Sequence, residues 1–451
     1  MRARTREEQS AAVPEVAKQA EESRDPRDSR WDWVEPVVWT ERMLAALENG
    51  VKGGRWYSLM DKVYAERTLW AAWERVKRNG GSAGVDRQSV AAFEARAGKH
   101  LASLARDLRE GTYRPQPIRR TWIPKPGSRE RRGLGIPTVR DRVVQSALKL
   151  VVEPIFEVQF AQQSYGFRPG RGCKDALRRV EELLKEGATW VVDCDLRSYF
   201  DSIPHEALLA EMERQIGDGK VMELLRAFLN QKVMEGLNEW APETGTPQGA
   251  VISPLMANVY LDSLDHEMGK RGWQLVRYAD DAVCLCKSQA EAETALAAIS
   301  VWVQNRGLAL HPEKTKIVDT TKRGGFDFLG YHFERGMKWP RKQSVAKFRV
   351  AIRARTSRKS GDSLSTIVTQ VNLVIRGWFE YFKHSQPSTF EPLDGFVRRR
   401  LRSILCRRNH IAKRGWGFVN QRWPKAYFVE LGLFTMSTAR ASARQSRRGN
   451  H

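Results

Sequence analysis

A chain of 451 residues with 41% apolar residues and 15 tryptophans can bury a sizeable core in two or three domains, which excludes a disordered polymer. Its formal net charge of +23 selects a polyanionic partner, either nucleic acid or an anionic membrane surface. No stretch approaches the roughly 18–20 apolar residues of a membrane span, and the polar first thirty residues hold no signal core, so neither a membrane anchor nor secretion is expected.

Residues 1–50 carry eight Lys and Arg against eleven Asp and Glu, and 1–55 is expected to be an N-terminal extension, loose over its first thirty residues. The globular pattern starts near residue 56. Leu59, Val63, Leu69, Ala72, Trp73 and Val76 recur at near-helical spacing, closed by Gly80 and Gly81. Residues 119–157 open as a basic loop punctuated by Pro and Gly between short extended pieces. From Val139 they continue as a helix with Val143, Val144, Ala147, Leu148 and Val151 on one face. "WVVDCDLRSYFDSI" (190–203) reads as a buried strand and a turn. "GTPQGAVISPLMANVYLDSLDHEM" (245–268) reads as a loop opening a helix at Ser253-Pro254, where proline suits the first turn. Apolar strands on either side of Asp280-Asp281 predict a hairpin.

From Arg341 onward 24 Lys and Arg face only 5 Asp and Glu. Leu364, Ile367, Val368, Val371, Val374, Ile375, Trp378 and Phe382 form one helical stripe, and "LDGFVRRRLRSILCRRNH" predicts a second helix with arginines around an apolar seam. Residues 341–430 are expected to be a helical domain with a basic face, and 431–451 a flexible basic tail. The five cysteines (Cys173, Cys194, Cys284, Cys286 and Cys406) include no Cys-x-x-Cys pair, so reduced thiols of a cytosolic protein are expected rather than a disulfide framework or zinc ribbon.

Adjacent aspartates between apolar strands need a basic side chain, a cation or solvent to offset their repulsion. Metal-dependent phosphoryl transfer uses two cations roughly 3.5–4 Å apart, held by carboxylates that converge from neighbouring strands. Asp280 and Asp281 can supply two such groups, and Asp193, Asp195 or Asp201 a third. An aromatic-x-Asp-Asp string alone is weak. Order adds weight: an Asp-rich strand end, a Thr-Pro-Gln-Gly loop and the Tyr-x-Asp-Asp hairpin follow within about ninety residues.

In this order the blocks resemble those of group II intron-encoded reverse transcriptases, or maturases. The resemblance covers roughly residues 60–430 and includes "NGGSAGVDRQSV", "WIPKPG" with "RRGLGIPTVRDRVVQSAL", "SYGFRPGRGCKDAL", "VVDCDLRSYFDSIPH", "TPQGAVISPLMANVYL", "RYADD", "GLALHPEKTK", "FDFLGYHF" and "VIRGWFEYF". One departure is Gly133, which stands where the family usually has proline.

The resemblance implies an α+β right-hand fold, with α/β fingers and a palm bearing an antiparallel sheet over 56–340, and an α-helical thumb/maturase domain over 341–430. It implies RNA-directed DNA polymerisation with two Mg²⁺ ions, and assistance to intron splicing. Asp195 and Asp280 would hold both metals, with Asp281 assisting. Asp193 would take a solvent or salt-bridge role, and Asp201 would cap the next helix.

Lys125 and Arg132 would grip the incoming triphosphate, with Arg129 and Arg131 as neighbours able to substitute. Tyr199 or Phe200 would exclude a 2′-hydroxyl, a choice that needs coordinates. Gln248 and Gly249 would lie beside the nascent base pair and template. Lys314 would protonate the leaving pyrophosphate. Leu329 and Gly330 would form the primer grip. Trp378 would be core. Arg398, Arg399 and Arg400 would contact RNA backbone.

The implied partners are group II intron RNA, a DNA primer or target strand, and dNTPs, with no membrane; a homodimer is admitted. Localisation is expected in the cytoplasm, at the nucleoid during integration. With Cys406 the only cysteine after 341, no His-Asn-His endonuclease is expected, and priming would come from elsewhere. Two other readings stay open: a domesticated reverse transcriptase serving a CRISPR array or phage defence, and a splicing factor that binds RNA without polymerising.

Overall fold

The computed structural model describes residues 28–51, 53–124, 131–411 and 416–448, with no account of the side chains of 28, 29, 416 and 443–448. These residues fall into two compact units. One gathers the chain up to Pro115 with Thr138–Gln159 and Glu213–Leu224; the other holds the rest.

The first unit is helical. It contains α1 (Glu41–Asn49), α2 (Glu66–Asn79), α3 (Ala97–Glu110) and α4 (Val139–Glu157). Ordered structure begins before residue 56. Trp39 is buried and donates its indole N–H to the Leu150 carbonyl at 3.0 Å, so part of the expected extension belongs to this core. α4 starts at Thr138, whose hydroxyl accepts from the Asp141 amide at 3.1 Å, the N-cap geometry that satisfies a first-turn donor. Buried on nearly all sides, α4 carries Asp141 and Arg142 inward. The Tyr113 hydroxyl meets Asp141 at 2.6 Å, and Arg142 donates to the Gly80 and Ser82 carbonyls at 3.0 and 2.6 Å.

The second unit carries three sheets. The first has order β2-β1-β4-β5, from β1 (Ile118–Pro124), β2 (Arg131–Ile136), β4 (Val233–Glu235) and β5 (Asn238–Trp240). The second has order β6-β7-β3-β8, from β3 (Trp190–Asp195), β6 (Gln274–Tyr278), β7 (Asp281–Cys286) and β8 (Lys316–Asp319), and every pairing in it is antiparallel. The third runs β11-β10-β9, from β9 (Phe326–Phe328), β10 (Tyr331–Glu334) and β11 (Met337–Pro340).

The second sheet places the chemistry. Side chains alternate along a strand, and the register pairs Val191 with Leu285, Asp193 with Val283 and Asp195 with Asp281. One face of β3 and β7 is therefore apolar at one end and acidic at the other. The apolar end packs against α5 (Cys173–Lys185) through Ala176, Leu177 and Val180, with Phe326, Phe328 and Phe333 from the third sheet. Two further helices are α6 (Tyr199–Ser202), one turn long where the sequence reads as a turn, and α7 (Ser253–Lys270), which opens as read with Pro254 in its first turn.

The C-terminal region is helical, with α8 (Lys342–Arg355), α9 (Leu364–Phe382), α10 (Phe390–Arg408) and α11 (Met436–Arg448). The expected stripe on α9 is buried at Ile367, Val368, Val371 and Ile375 against Leu393, Val397 and Leu401 of α10. The tail was expected to be flexible over 431–451, yet α11 runs to Arg448. Its start is fixed by Asp394, which accepts from the Met436 and Ser437 amides at 3.1 and 2.9 Å, while Met436 is buried. Alternating small and basic residues hide this anchoring from a sequence reading, because the capping carboxylate lies 42 residues earlier.

Candidate active site

Two connected clefts of the second unit meet at the acidic end of the β3–β7 face. One, of about 600 Å³, is lined by Asp195, Phe200, Gln248, Asp280, Arg132 and Lys314. The other, of about 1160 Å³, shares Asp195, Asp280 and Lys314 and adds Asp193, Asp281 and Arg341. The structure thus brings Asp195, Asp280 and Asp281 together as the sequence implied.

Burial pushes all three of Asp193, Asp280 and Asp281 above the usual carboxylate range. Asp281 rises to about 7, first from burial and then from Asp193 and Asp280 beside it. Asp193 rises to about 6 from burial, opposed by Lys316, its cross-strand partner. It is a half-buried part of the acidic face, not a solvated side chain. For Asp280, burial again leads, eased by its own backbone amide and Arg132 and augmented by Asp195. In carboxylates raised in this way burial outweighs the nearby positive charge, and their hard oxygens suit a divalent cation. Among the described residues no three His, Cys, Asp or Glu side chains are drawn into a ready ligand cage. Instead the Lys314 ammonium stands 3.3 Å from both oxygens of Asp195.

What holds the aspartate pair is a buried arginine. Arg277, 1% exposed, directs its Nε to both oxygens of Asp265 at 2.9 and 3.0 Å. Its Nη1 reaches Asn258 at 3.0 Å and the Ala279 carbonyl at 2.9 Å, and its Nη2 reaches Ser164 at 2.8 Å. The Ala279 carbonyl belongs to the hairpin tip, and Ala279 itself has φ +59°, a conformation that costs a non-glycine residue energy. The guanidinium thus pins the turn that presents Asp280. Gly166 completes this support: a Cβ there would run into the Tyr278–Ala279 backbone. Sequence reading missed Arg277, Asp265 and Asn258. An arginine inside an apolar strand next to the aspartates was the available signal, since such a charge needs a buried acceptor.

Asp281 has its own support. The backbone amide of Leu329 lies close enough to ease the rise of its pKa. Leu329 and Gly330 form the two-residue turn between β9 and β10, both with positive φ (+45° and +84°), as a tight hairpin of this length requires. Leucine is a poor residue for this conformation, and the strain is held by the Tyr381 hydroxyl, 2.7 Å from the Leu329 carbonyl. Gly330 offers its carbonyl to Arg341 and Ser344 at 2.9 and 3.0 Å.

The two aromatics both line the cleft and differ in burial. Tyr199 is 2% exposed, and its hydroxyl donates to the Ala257 carbonyl at 2.6 Å. Phe200 faces the cleft. Phe167, with φ +57° and 48% exposed, lines the same cleft and was not singled out from sequence.

Glycine at 249 lets this loop approach β2 closely: a Cβ would collide with the Gly135 carbonyl and lie 2.9 Å from a Leu134 methyl. The neighbouring Gln248 carbonyl accepts from Gly135 at 2.7 Å.

Lys125 lies outside the described residues, as does Arg129. Asp201 sits inside the short α6, and its carbonyl accepts from Thr244 at 3.0 Å. Of the three consecutive arginines on α10, only Arg399 faces solvent. Arg398 pairs with Glu391 at 2.9 Å, and Arg400 donates to the Thr356 carbonyl at 2.6 Å, so these two brace helices instead of reaching out. Trp378 packs between Phe348 and Phe382, with ring centroids 5.0 and 4.6 Å away, as core.

Residues 123–333 match the family described as reverse transcriptase (RNA-dependent DNA polymerase), and residues 345–423 match the group II intron maturase-specific domain. The group II intron-encoded protein LtrA of Lactococcus lactis subsp. cremoris is 39% identical over 165 residues, 37% of this chain and 27% of that protein. Protein YkfC of Escherichia coli (strain K12) is 35% identical over 298 residues, 56% of this chain and 76% of that protein. Nuclear intron maturase 4, mitochondrial, of Arabidopsis thaliana is 28% identical over 216 residues, 48% of this chain and 26% of that protein. The match with the Lactococcus protein spans about a quarter of its length.

Proposed function

The chain belongs to the group II intron reverse transcriptase and maturase family, and from that premise we propose that it is an RNA-directed DNA polymerase that copies a group II intron RNA and assists its splicing. The observation that carries the polymerase reading is the cross-strand pairing of Asp195 with Asp281, which with Asp280 sets three carboxylates where two clefts meet, one of them also lined by Phe200, Gln248 and Arg132.

The family uses divalent metal ions. Here Mg²⁺ is proposed, held by Asp195 and Asp280 with Asp281 assisting; it would activate the primer hydroxyl and offset charge on the phosphates. The chain's own side chains do the rest. Arg132 neutralises charge on the incoming triphosphate. Phe200 fills the space a 2′-hydroxyl would need. Gln248 flanks the nascent pair. Lys314, released from Asp195 when that carboxylate takes a cation, is free to turn its ammonium toward the departing pyrophosphate. Leu329 and Gly330 hold the primer end against Asp281. The helical region that matches the maturase-specific domain supports intron RNA as template and splicing partner, with Arg399 among the exposed cations.

The test is extension of a DNA primer on an RNA template with Mg²⁺ and dNTPs, beside an Asp280→Ala/Asp281→Ala control. Extension by the native protein alone supports the reading. No extension by either, with RNA binding intact, would leave a splicing factor without polymerase activity.

A further inference from the structure

Gly133, the departure from the family pattern, is filled from across the hairpin. It pairs with Trp122 in the register of β1 and β2, and a Cβ at this position would come within 2.7 Å of the Arg120 guanidinium carbon. The guanidinium therefore lies flat over the bare backbone of Gly133. Two indoles hold it there, Trp122 with its centroid at 4.8 Å and Trp240 of β5 at 5.9 Å. Among the described residues no ion pair to it is found, and its Nε is buried with no acceptor. A planar cation held against two indoles, with no carboxylate to neutralise it, is arranged for an external anion. The same side chain lines the 600 Å³ cleft that holds Asp195, Asp280 and Arg132.

We propose that Arg120 is a further phosphate-contacting residue of this cleft, and that glycine at 133 is what gives its guanidinium room to lie there. The ligand class is a polyphosphate: the β- and γ-phosphates of the incoming nucleotide before the reaction, and pyrophosphate after it. The proposal rests on the polymerase reading above. A bulkier residue at 133 and a flat arginine at 120 exclude each other sterically, so the two positions act as one device. Guanidinium suits the task, because its fork meets two phosphate oxygens at once while the indole faces limit its freedom.

The experiment is steady-state extension of a DNA primer on an RNA template by the full chain, in three variants: Arg120→Ala, Gly133→Ala and the double substitution. The added methyl of Gly133→Ala meets only the far end of a flexible side chain, so it displaces Arg120 without unfolding the hairpin. Expected are a rise of about tenfold in KM for dNTP in each single variant and kcat within about twofold of native. Inhibition by inorganic pyrophosphate should weaken by the same factor, and the double variant should be no worse than either single one.

An unchanged KM and unchanged pyrophosphate inhibition in Arg120→Ala would overturn the proposal. So would weakened binding of the RNA template with both of those values intact, which would make Arg120 a template contact. A shift confined to melting temperature would make it a structural stack only. Failure of the native protein to extend any primer would instead overturn the polymerase reading itself.

Discussion

Lys314 Nζ lies 3.3 Å from both carboxylate oxygens of Asp195, so the residue assigned to the leaving pyrophosphate is paired with one assigned to a cation. Both partners are largely exposed, 58% and 40%, and such pairs contribute roughly 0–1 kcal/mol. Lys314→Ala should therefore leave urea stability nearly unchanged. If its ammonium serves the leaving group, kcat should fall on the order of 10²-fold with KM within a few-fold, the signature of an interaction made in the transition state. Single-turnover nucleotide incorporation reads this directly. An unchanged rate would make Lys314 a surface cation.

Burial raises Asp281 to about 7 and Asp193 to about 6. A carboxylic acid whose folded pKa exceeds its unfolded value of roughly 4 binds more protons folded than unfolded. These groups therefore stabilise the metal-free protein below about pH 4, and that contribution is lost as the pH rises to about 7. A divalent cation must displace those protons. Calorimetric titration with Mg²⁺ near pH 6 should show proton release, seen as a heat that depends on the buffer's ionisation enthalpy. The dependence should vanish near pH 8.5, where these groups are already ionised. Equal heats in all buffers at pH 6 would contradict this.

Asp265 and Asp280 stand fifteen residues apart and should respond oppositely to substitution. Asp265→Ala strands the buried Arg277, and breaking such a pair costs about 3–5 kcal/mol. Asp280→Ala removes a carboxylate that burial disfavours, so metal-free stability should hold or rise while extension is lost. Urea denaturation of the two variants, with primer extension alongside, separates scaffold from chemistry.

Phe200→Ala should admit ribonucleotides, lowering discrimination against rNTP by about two orders of magnitude, the scale on which a pocket's shape rather than its hydrogen bonds selects substrate. Tyr199→Phe should instead cost about 1 kcal/mol by leaving the Ala257 carbonyl without its donor, with sugar selection intact. Competition between dNTP and rNTP in primer extension decides which ring meets the sugar.

Asp280 and Asp281 could be picked out because two charges between apolar strands contradict the pattern around them. The long stripe on α9 was legible for the converse reason: its apolar spacing agrees with a helix over five turns. Arg277 and Arg120 could not be assigned in this way. Each has a role set by a partner that lies far along the chain or across a sheet, Asp265 and Asn258 for one, Gly133 and Trp240 for the other. The run 398–400 shows the same limit, since three identical residues in a row received different fates from the helices packed around them.

By itself the sequence determined most element types, the order of the family blocks and the candidate carboxylates, because periodicity and the cost of burying charge are local properties that residues declare in place. Only the tertiary structure decided that Tyr199 is the more deeply buried of the two aromatics at the cleft, that the strained Leu329 turn lies beside Asp281, and that Arg120 occupies the space over Gly133. Those outcomes depend on which side chains meet across strands, and chain register, not composition, sets those meetings.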